Sequence, residues 1–176
     1  MSANPTEMLH GERVRLRLLR AEDGDRLEAI LREPEVVRWW GGGDGDAARV
    51  RDELLSDADS VAYAIEVDGV VVGAIQYYEE DDPDYRHAAI DVFLATESHG
   101  HGLGSEAVRV LARHLVADRG HHRLTIDPAA HNERAIRAYE RVGFRPVGVL
   151  RRYERGPDGW HDGLLMDLLA DELRDA

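Results

Sequence analysis

Three glycines at alternate positions, just before a predicted helix, are the most informative feature of this chain. They belong to the segment His99-Gly100-His101-Gly102-Leu103-Gly104, which Ser105 follows. Glycine lets the backbone turn without a Cβ atom in the way, so successive N–H groups can converge on an anion where a helix begins. An apolar segment at residues 88–95 precedes the loop and reads as a strand. This order predicts that the N–H groups of residues 100–105 bind a pyrophosphate.

The glycine loop alone leaves other interpretations open. A dinucleotide-binding fold has the fingerprint G-x-G-x-x-G near its first strand, whereas this loop reads G-x-G-x-G and follows several predicted strands. A turn that needs glycine only for its own backbone is a second alternative. A second motif further along the chain favours the pyrophosphate site.

That second motif is a predicted helix in residues 127–144. A short strand at residues 124–126 precedes it, and Asn132 is placed to cap the helix. Its apolar side carries Tyr139 among other residues at helical spacing, and Gly143 is placed to end it. The two motifs together define a strand–loop–helix–strand–helix unit.

The H-G-H-G-L-G loop and the N-x-x-A-x-x-x-Y-E-x-x-G-F helix together resemble the GCN5-related N-acetyltransferases (GNAT). This resemblance implies acetyl-CoA as the cofactor, bound at the loop, with its pantetheine arm along the main chain of a splayed strand. It also implies that Tyr139 protonates the departing coenzyme A thiolate. The cofactor-binding residues so implied are Val92, Phe93, Leu94, His99, Gly100, His101, Gly102, Leu103, Gly104, Ser105, Asn132 and Tyr139.

Transfer to an amine needs a base, and Asp91 is the candidate. An alkyl ammonium with a pKa of roughly 10 is only about a thousandth deprotonated at pH 7, which costs about 4 kcal/mol. Asp91 is a charged residue inside the apolar strand segment Ile90-Asp91-Val92-Phe93-Leu94. Burying a carboxylate that has no partner costs free energy, which favours a catalytic role for Asp91. The alternative is a structural ion pair with an arginine or histidine inside the sheet.

A closer resemblance is to the aminoglycoside 6'-N-acetyltransferases, over about residues 10–168. It is carried by Trp39-Trp40-Gly41-Gly42, by Ile90-Asp91 and by Thr125-Ile126-Asp127-Pro128 with the helix after it. It implies direct acetyl transfer to the 6'-amine of a cationic antibiotic, resistance, Asp91 as base, and Asp127 as a ligand of the sugar. The predicted substrate-binding residues are Trp40, Gln76, Asp91, Asp127 and Asp158, together with Glu79 and Glu80. The last two lie in an acidic loop predicted between the strands at 70–78 and 88–95, which is shorter than in those enzymes but could still face a cation.

Two other functions stay open. The segment at residues 151–162 resembles the ends of acetyltransferases that modify the N-termini of ribosomal proteins. An acyl-CoA-binding regulator without turnover is the third hypothesis, and it explains only the glycine loop.

The predicted fold is α/β (α+β) of the GNAT type. It has a central, mixed, mostly antiparallel twisted sheet, a splayed parallel strand pair, and helices on both faces. An Asp68-Gly69 pair between two alternating segments predicts a tight hairpin. The strands are predicted at residues 14–18, 61–67, 70–78, 88–95, 124–126, 146–154 and 160–168, and the helices at 21–31, 46–55, 105–119 and 133–142.

Composition bounds the class of protein. The 176 residues are enough for one domain, predicted over 1–176 with its core at about 10–168. A net charge of −13 argues against nucleic acid and anionic membranes and permits a cationic small molecule. With no cysteine and no run of about eighteen apolar residues, we expect direct transfer and a cytoplasmic protein. Histidine spacing predicts no metal site, and a monomer and a homodimer are both compatible.

Overall fold

One eight-stranded sheet organises the computed structural model, which describes residues 5–40, 46–156 and 158–174. The strands are β1 (Met8–His10), β2 (Val14–Leu18), β3 (Ser60–Val67), β4 (Val70–Glu80), β5 (His87–Leu94), β6 (Arg123–Ile126), β7 (Arg145–Gly156) and β8 (Gly159–Leu169). The helices are α1 (Gly24–Leu31), α2 (Pro34–Val37), α3 (Ala47–Ser56), α4 (Leu103–Ala117) and α5 (Glu133–Val142). Short 3-10 turns lie at Ala21–Asp23, Thr96–Ser98 and Ala170–Glu172.

The strand order in the sheet is β1-β2-β3-β4-β5-β6-β8-β7. Every neighbouring pair is antiparallel except β5 and β6, which are parallel. The parallel pair is short, because only Ala88 and Ala89 of β5 pair with β6. Beyond Ala89 the two strands separate, which confirms the predicted splayed pair in a mostly antiparallel sheet.

Helices cover both faces of the sheet. One apolar cluster joins α4 and α5 to one face through residues such as Leu111 and Val142. A second joins α1, α2 and α3 to the other face through residues such as Leu27 and Leu54. The helices bury the sheet on both sides because each presents an apolar stripe at helical spacing. In the described part of the chain, no helix is both long and apolar enough to cross a membrane.

The predicted boundaries are confirmed where local chemistry sets them. The Asn132 side chain accepts a hydrogen bond from the Ala135 N–H at 3.2 Å, and Gly143 ends α5. The hairpin turn has positive φ at both Asp68 and Gly69, as primed turns require. Three predictions need correction: the sequence missed β1 and α2, and it placed Glu79 and Glu80 in a loop although both lie in β4.

Candidate active site

A cavity of about 740 Å³ opens where β5 and β6 separate. Residues 91–94 of β5 line one wall, and residues 126–129, from the end of β6 onward, line the wall facing it. The glycine loop, α5 and the end of β7 complete it, with α2 and α3 at the rim. The side chains that line it include Trp39, Trp40, Gln76, Asp91, Asp127, Asn132, Arg134, Tyr139, Tyr153, Glu154 and Trp160, and also Glu35, Arg49, Glu53, His99, Arg141 and Arg155.

The glycine loop has the backbone that an anion site needs. Gly100 and Gly102 have φ of 79° and 78°, and a Cβ at Gly100 would meet no atom within 4 Å. Gly102 is the N-cap of α4, so the N–H groups from Leu103 to Ser105 have no acceptor inside the helix. These groups lie at the positive end of the helix dipole, where a pyrophosphate fits.

A buried carboxylate anchors this loop to β2. Glu106, in the first turn of α4, accepts hydrogen bonds from the N–H groups of Arg13 at 2.6 Å and Val14 at 3.1 Å. The Arg13 guanidinium pairs with Glu106 and also donates to the His101 carbonyl at 2.9 Å. Burial favours the neutral form of Glu106, but these hydrogen bonds outweigh it and lower the pKa of Glu106. The ionised Glu106 therefore fixes the loop at its base.

The side chains of His99 and Ser105 in the loop hydrogen-bond to the protein itself. The His99 ring hydrogen-bonds the Leu94 carbonyl at 2.9 Å, and burial lowers the pKa of His99. The Ser105 hydroxyl donates to the Ala138 carbonyl at 3.1 Å, which links α4 to α5. His101 is exposed and does not line the cavity. The loop therefore offers backbone donors rather than charged side chains.

The edge of β5 that faces the cavity is available to an extended ligand. β5 pairs with β4 through Leu94, whereas its pairing with β6 stops at Ala89. Backbone groups alternate sides along a strand, and those of Ala95 and Phe93 face β4. The backbone groups of Val92 therefore face the β6 side and can bind an extended chain as an added strand does. This placement fits the predicted pantetheine contact of Val92, whereas the backbone of Phe93 is paired with β4.

Asp91 lies at the inner end of the cavity. It stands opposite Gln76 on the neighbouring strand, and the Gln76 Nε2 donates to its Oδ2 at 3.5 Å. Burial, and then the negative charge of Asp127, raise the pKa of Asp91 to about 6. Among the described residues, no arginine or histidine ion pair is found at Asp91. A carboxylate with a pKa just below neutrality is suited to accept a proton.

Tyr139 reaches the same cavity from α5. The side chain is 8% exposed and packs edge-on against Phe144, with ring centroids 6.3 Å apart. Burial first, and then the charges of Asp91 and Asp127, raise the pKa of Tyr139. The phenol is therefore neutral at pH 7 and carries a proton that it can donate.

Aromatic rings lie on both walls of the cavity, and Asp127 lies on the wall that faces β5. The Tyr153 hydroxyl donates to Asp127 Oδ2 at 2.5 Å. Trp40 packs on Phe93 with ring centroids 4.8 Å apart. The partners Gly41 and Gly42 of the tryptophan motif lie outside the described residues. A ligand in this part of the cavity meets carboxylates and aromatic faces together, which suits a cation with apolar edges.

Glu79 is the clearest correction to the predicted site. Its carboxylate pairs with Arg119 at 2.5 Å and with the His121 ring at 2.7 Å. It does not line the cavity, because side chains alternate along a strand and Glu79 lies on the face opposite to Gln76. The structure does not support Glu79 as a substrate ligand.

Two further predicted ligands also lie outside the cavity. Glu80 is exposed at the end of β4, about 13 Å along the strand from Gln76, and its side chain accepts from the Asp82 N–H. Asp158 is exposed in the β7–β8 turn and pairs with the His161 ring at 2.5 Å. Neither residue lines the cavity that holds Asp91.

The sequence analysis missed residues of β7 and β8 that line the cavity. Tyr153, Glu154 and Trp160 reach it from the long hairpin. Their segment, residues 151–162, carries only a resemblance to the ends of other acetyltransferases, and that resemblance assigns none of these three residues to the site. An aromatic and an acidic residue side by side on the last hairpin was the one available signal.

Comparisons with known proteins agree with this geometry. The family model described as "Acetyltransferase (GNAT) domain" matches residues 13–145. Aminoglycoside N(6')-acetyltransferase type 1 of Klebsiella pneumoniae is 33% identical over 164 residues, which cover 83% of this chain and 79% of that protein. Spermidine N(1)-acetyltransferase of Escherichia coli is 24% identical over 141 residues, 78% of this chain and 75% of that protein.

A solved structure is similar over nearly the whole chain. It is AAC(6')-Ib in complex with ribostamycin and coenzyme A, with a TM-score of 0.77 and 29% identity. The match covers 94% of this chain and 99% of that chain.

Proposed function

Because the chain belongs to the acetyltransferase (GNAT) domain family, we propose that it acetylates the 6'-amine of an aminoglycoside by direct transfer from acetyl-CoA. Resistance to the antibiotic is the proposed consequence. The observation that carries the proposal is the pair of carboxylates, Asp91 and Asp127, on facing walls of one cavity. Two negative charges a short distance from the proposed thioester position select a cationic acceptor.

In the proposed complex, the backbone of this chain holds the cofactor. The N–H groups at the start of α4 bind the pyrophosphate, and the free edge of β5 binds the pantetheine arm. Acetyl-CoA supplies the thioester carbonyl that the amine attacks.

Asp91 then takes the proton that the ammonium must lose. At pH 7 most of its population is ionised, since its pKa is about 6, so a base is available without a prior step. Tyr139 delivers its phenolic proton to the thiolate that leaves. The nitrogen loses two protons on its way from ammonium to amide: the first goes to Asp91 before attack, and the second leaves after the C–N bond forms and replaces the proton that Tyr139 gives to the thiolate. The C–N bond forms as the C–S bond breaks, so the transfer balances without a covalent enzyme intermediate.

A polyamine is the second candidate acceptor. The similarity to a spermidine acetyltransferase favours it, and so does the further carboxylate of Glu154 at the cavity. Acetylation of a protein N-terminus is less well supported, because a peptide N-terminus carries at most one positive charge and would not need several carboxylates in the cavity.

Thiol release from acetyl-CoA separates these candidates. The purified protein is incubated with acetyl-CoA and with kanamycin, tobramycin, spermidine or a peptide that has a free N-terminus. Thiol release with the aminoglycosides supports the proposal, and mass spectrometry then locates the acetyl group at the 6'-amine. Release with spermidine alone supports the second candidate. Release with the peptide alone, or with no acceptor, contradicts the proposal.

A further inference from the structure

The β7 strand is irregular beside the cavity. The five residues 150–154 face only the three residues 161–163 of β8, so the strand bulges outward. Within the bulge Arg152 has a φ of 48°, a left-handed backbone that residues other than glycine rarely adopt. The Arg152 N–H donates to Asp162 Oδ1 at 2.7 Å, which holds this conformation. Strained backbone of this kind persists where the surrounding structure fixes it and is frequent at functional sites.

The bulge places the Tyr153 ring over Gly163. A Cβ at Gly163 would lie 2.8 Å from the Tyr153 Cδ1, so the ring occupies the space that the glycine leaves. From there the hydroxyl reaches Asp127 Oδ2 at 2.5 Å. The Asp127 segment rests on the same strand, because Ala129 bridges to Gly163. Both partners of the hydrogen bond therefore lie against the same residue of β8, Gly163.

We infer that Tyr153 is a positioning residue, which fixes the Asp127 carboxylate so that its second oxygen can bind an ammonium group of the acceptor. The inference rests on the proposed function, in which Asp127 binds the cation. A carboxylate accepts several hydrogen bonds, so Oδ1 can still accept from a ligand when Oδ2 accepts from Tyr153, even though the Asp127 side chain also accepts a hydrogen bond from its own backbone. The Tyr153 ring is half exposed. Burial of the ring alone therefore does not explain why β7 forms the bulge that orients Tyr153 toward Asp127.

The charges around Asp127 show why such a donor matters. Asp91 faces it from β5, Tyr139 from α5 and Glu154 from β7, while Arg134 of α5 and His161 of β8 act with the opposite sign on Tyr139 and Glu154. Tyr153 is the side chain that hydrogen-bonds Asp127 itself. Burial raises the pKa of Asp127, and the hydrogen bond from Tyr153 opposes that rise. Without the hydroxyl, Asp127 keeps only the hydrogen bond from its own backbone, so it is easier to protonate and less firmly held toward the acceptor.

The variant Tyr153→Phe removes only the hydroxyl. We expect it to raise the pKa of Asp127, measured by the pH titration of its ¹³C-carboxyl NMR signal, which Asp127→Asn assigns. We also expect the KM for kanamycin or spermidine to rise about tenfold at pH 7, since a hydrogen bond to a charged group is lost, with the KM for acetyl-CoA within twofold of wild type. Tyr85→Phe, at a tyrosine that is 74% exposed and outside the cavity, is the matched control.

The readouts distinguish this inference from the proposed function. If neither amine is acetylated by wild type, the proposed acceptors are wrong, and the titration of Asp127 still decides whether Tyr153 acts on it. Gly163→Ala displaces the ring and should reproduce the titration shift. If Tyr153→Phe folds and leaves the Asp127 titration unchanged, the inference is overturned. An equal rise in the KM for acetyl-CoA also overturns it, because the ring then supports the whole cavity.

Discussion

Replacing Asp91 by asparagine tests whether its burial serves catalysis rather than the fold. The pKa of Asp91 rises from 3.8 to about 6, first through burial and then through the charge of Asp127. Such a rise corresponds to about 3 kcal/mol, at about 1.4 kcal/mol for each tenfold change in the equilibrium constant. Because the side chain is only partly buried, solvent screening reduces the free energy by which the ionised Asp91 destabilises the fold, and we expect about 2 kcal/mol.

The sign follows from linkage. An acid whose pKa is higher in the folded than in the unfolded protein destabilises the fold in its charged form. This cost is fully present above pH 6 and vanishes below about pH 3.8. Asparagine carries no charge and has nearly the same shape. We therefore expect Asp91→Asn to raise Tm at pH 7 by about 4 to 8 °C for a chain of this length, and much less at pH 4.

Catalysis should move in the opposite direction. Loss of a general base lowers kcat by about 100-fold or more, which thiol release from acetyl-CoA measures with the acceptor that wild type uses. In wild type, kcat should fall about tenfold for each pH unit below 6, as Asp91 takes up its proton. The control is Asp84→Asn, in the exposed β4–β5 loop, which should change neither quantity.

Two results would refute this reasoning. A lower Tm at pH 7 for Asp91→Asn, with Asp84→Asn unchanged, means that the fold uses the Asp91 charge. An unchanged kcat means that Asp91 is not the base, whatever the effect on stability.

Three further predictions follow from the same cavity. Tyr139→Phe should lower kcat by about 100-fold, while the affinity for acetyl-CoA measured by calorimetry stays unchanged. If kcat of this variant equals that of wild type, Tyr139 is not the acid. Gly102→Val should raise the KM for acetyl-CoA, since a valine cannot easily adopt the φ of 78° found there. Gly69→Val, with φ of 79° in a remote turn, should leave that KM unchanged, and equal effects of the two variants contradict a specific anion site. Asp127→Asn should raise the kanamycin KM about tenfold through loss of one charge contact, and added salt should raise it in wild type; an unchanged KM argues against Asp127 as a ligand.

The sequence by itself determined the elements whose ends depend on local chemistry. The helix α5 begins after Asn132, which supplies a side-chain acceptor for an N–H group of its first turn, and ends at Gly143, which adopts a positive φ. Asp68 and Gly69 form the tight turn because both adopt positive φ. The glycine loop, Asp91 and Tyr139 were identified in the same way, since their residue types and order along the chain carry the motif.

Only the tertiary structure decided which side chains share the cavity. Glu79 was a plausible ligand in the sequence, yet the alternation of β4 turns it to the other face, where Arg119 binds it. Tyr153 could not be assigned to the site from the sequence, because the direction of its side chain depends on a bulge that exists only when β7 pairs with β8. The raised pKa of Asp91 likewise comes from burial and from Asp127, which is 36 residues away along the chain. Strand pairing and burial join residues distant in sequence, and no local pattern encodes those contacts.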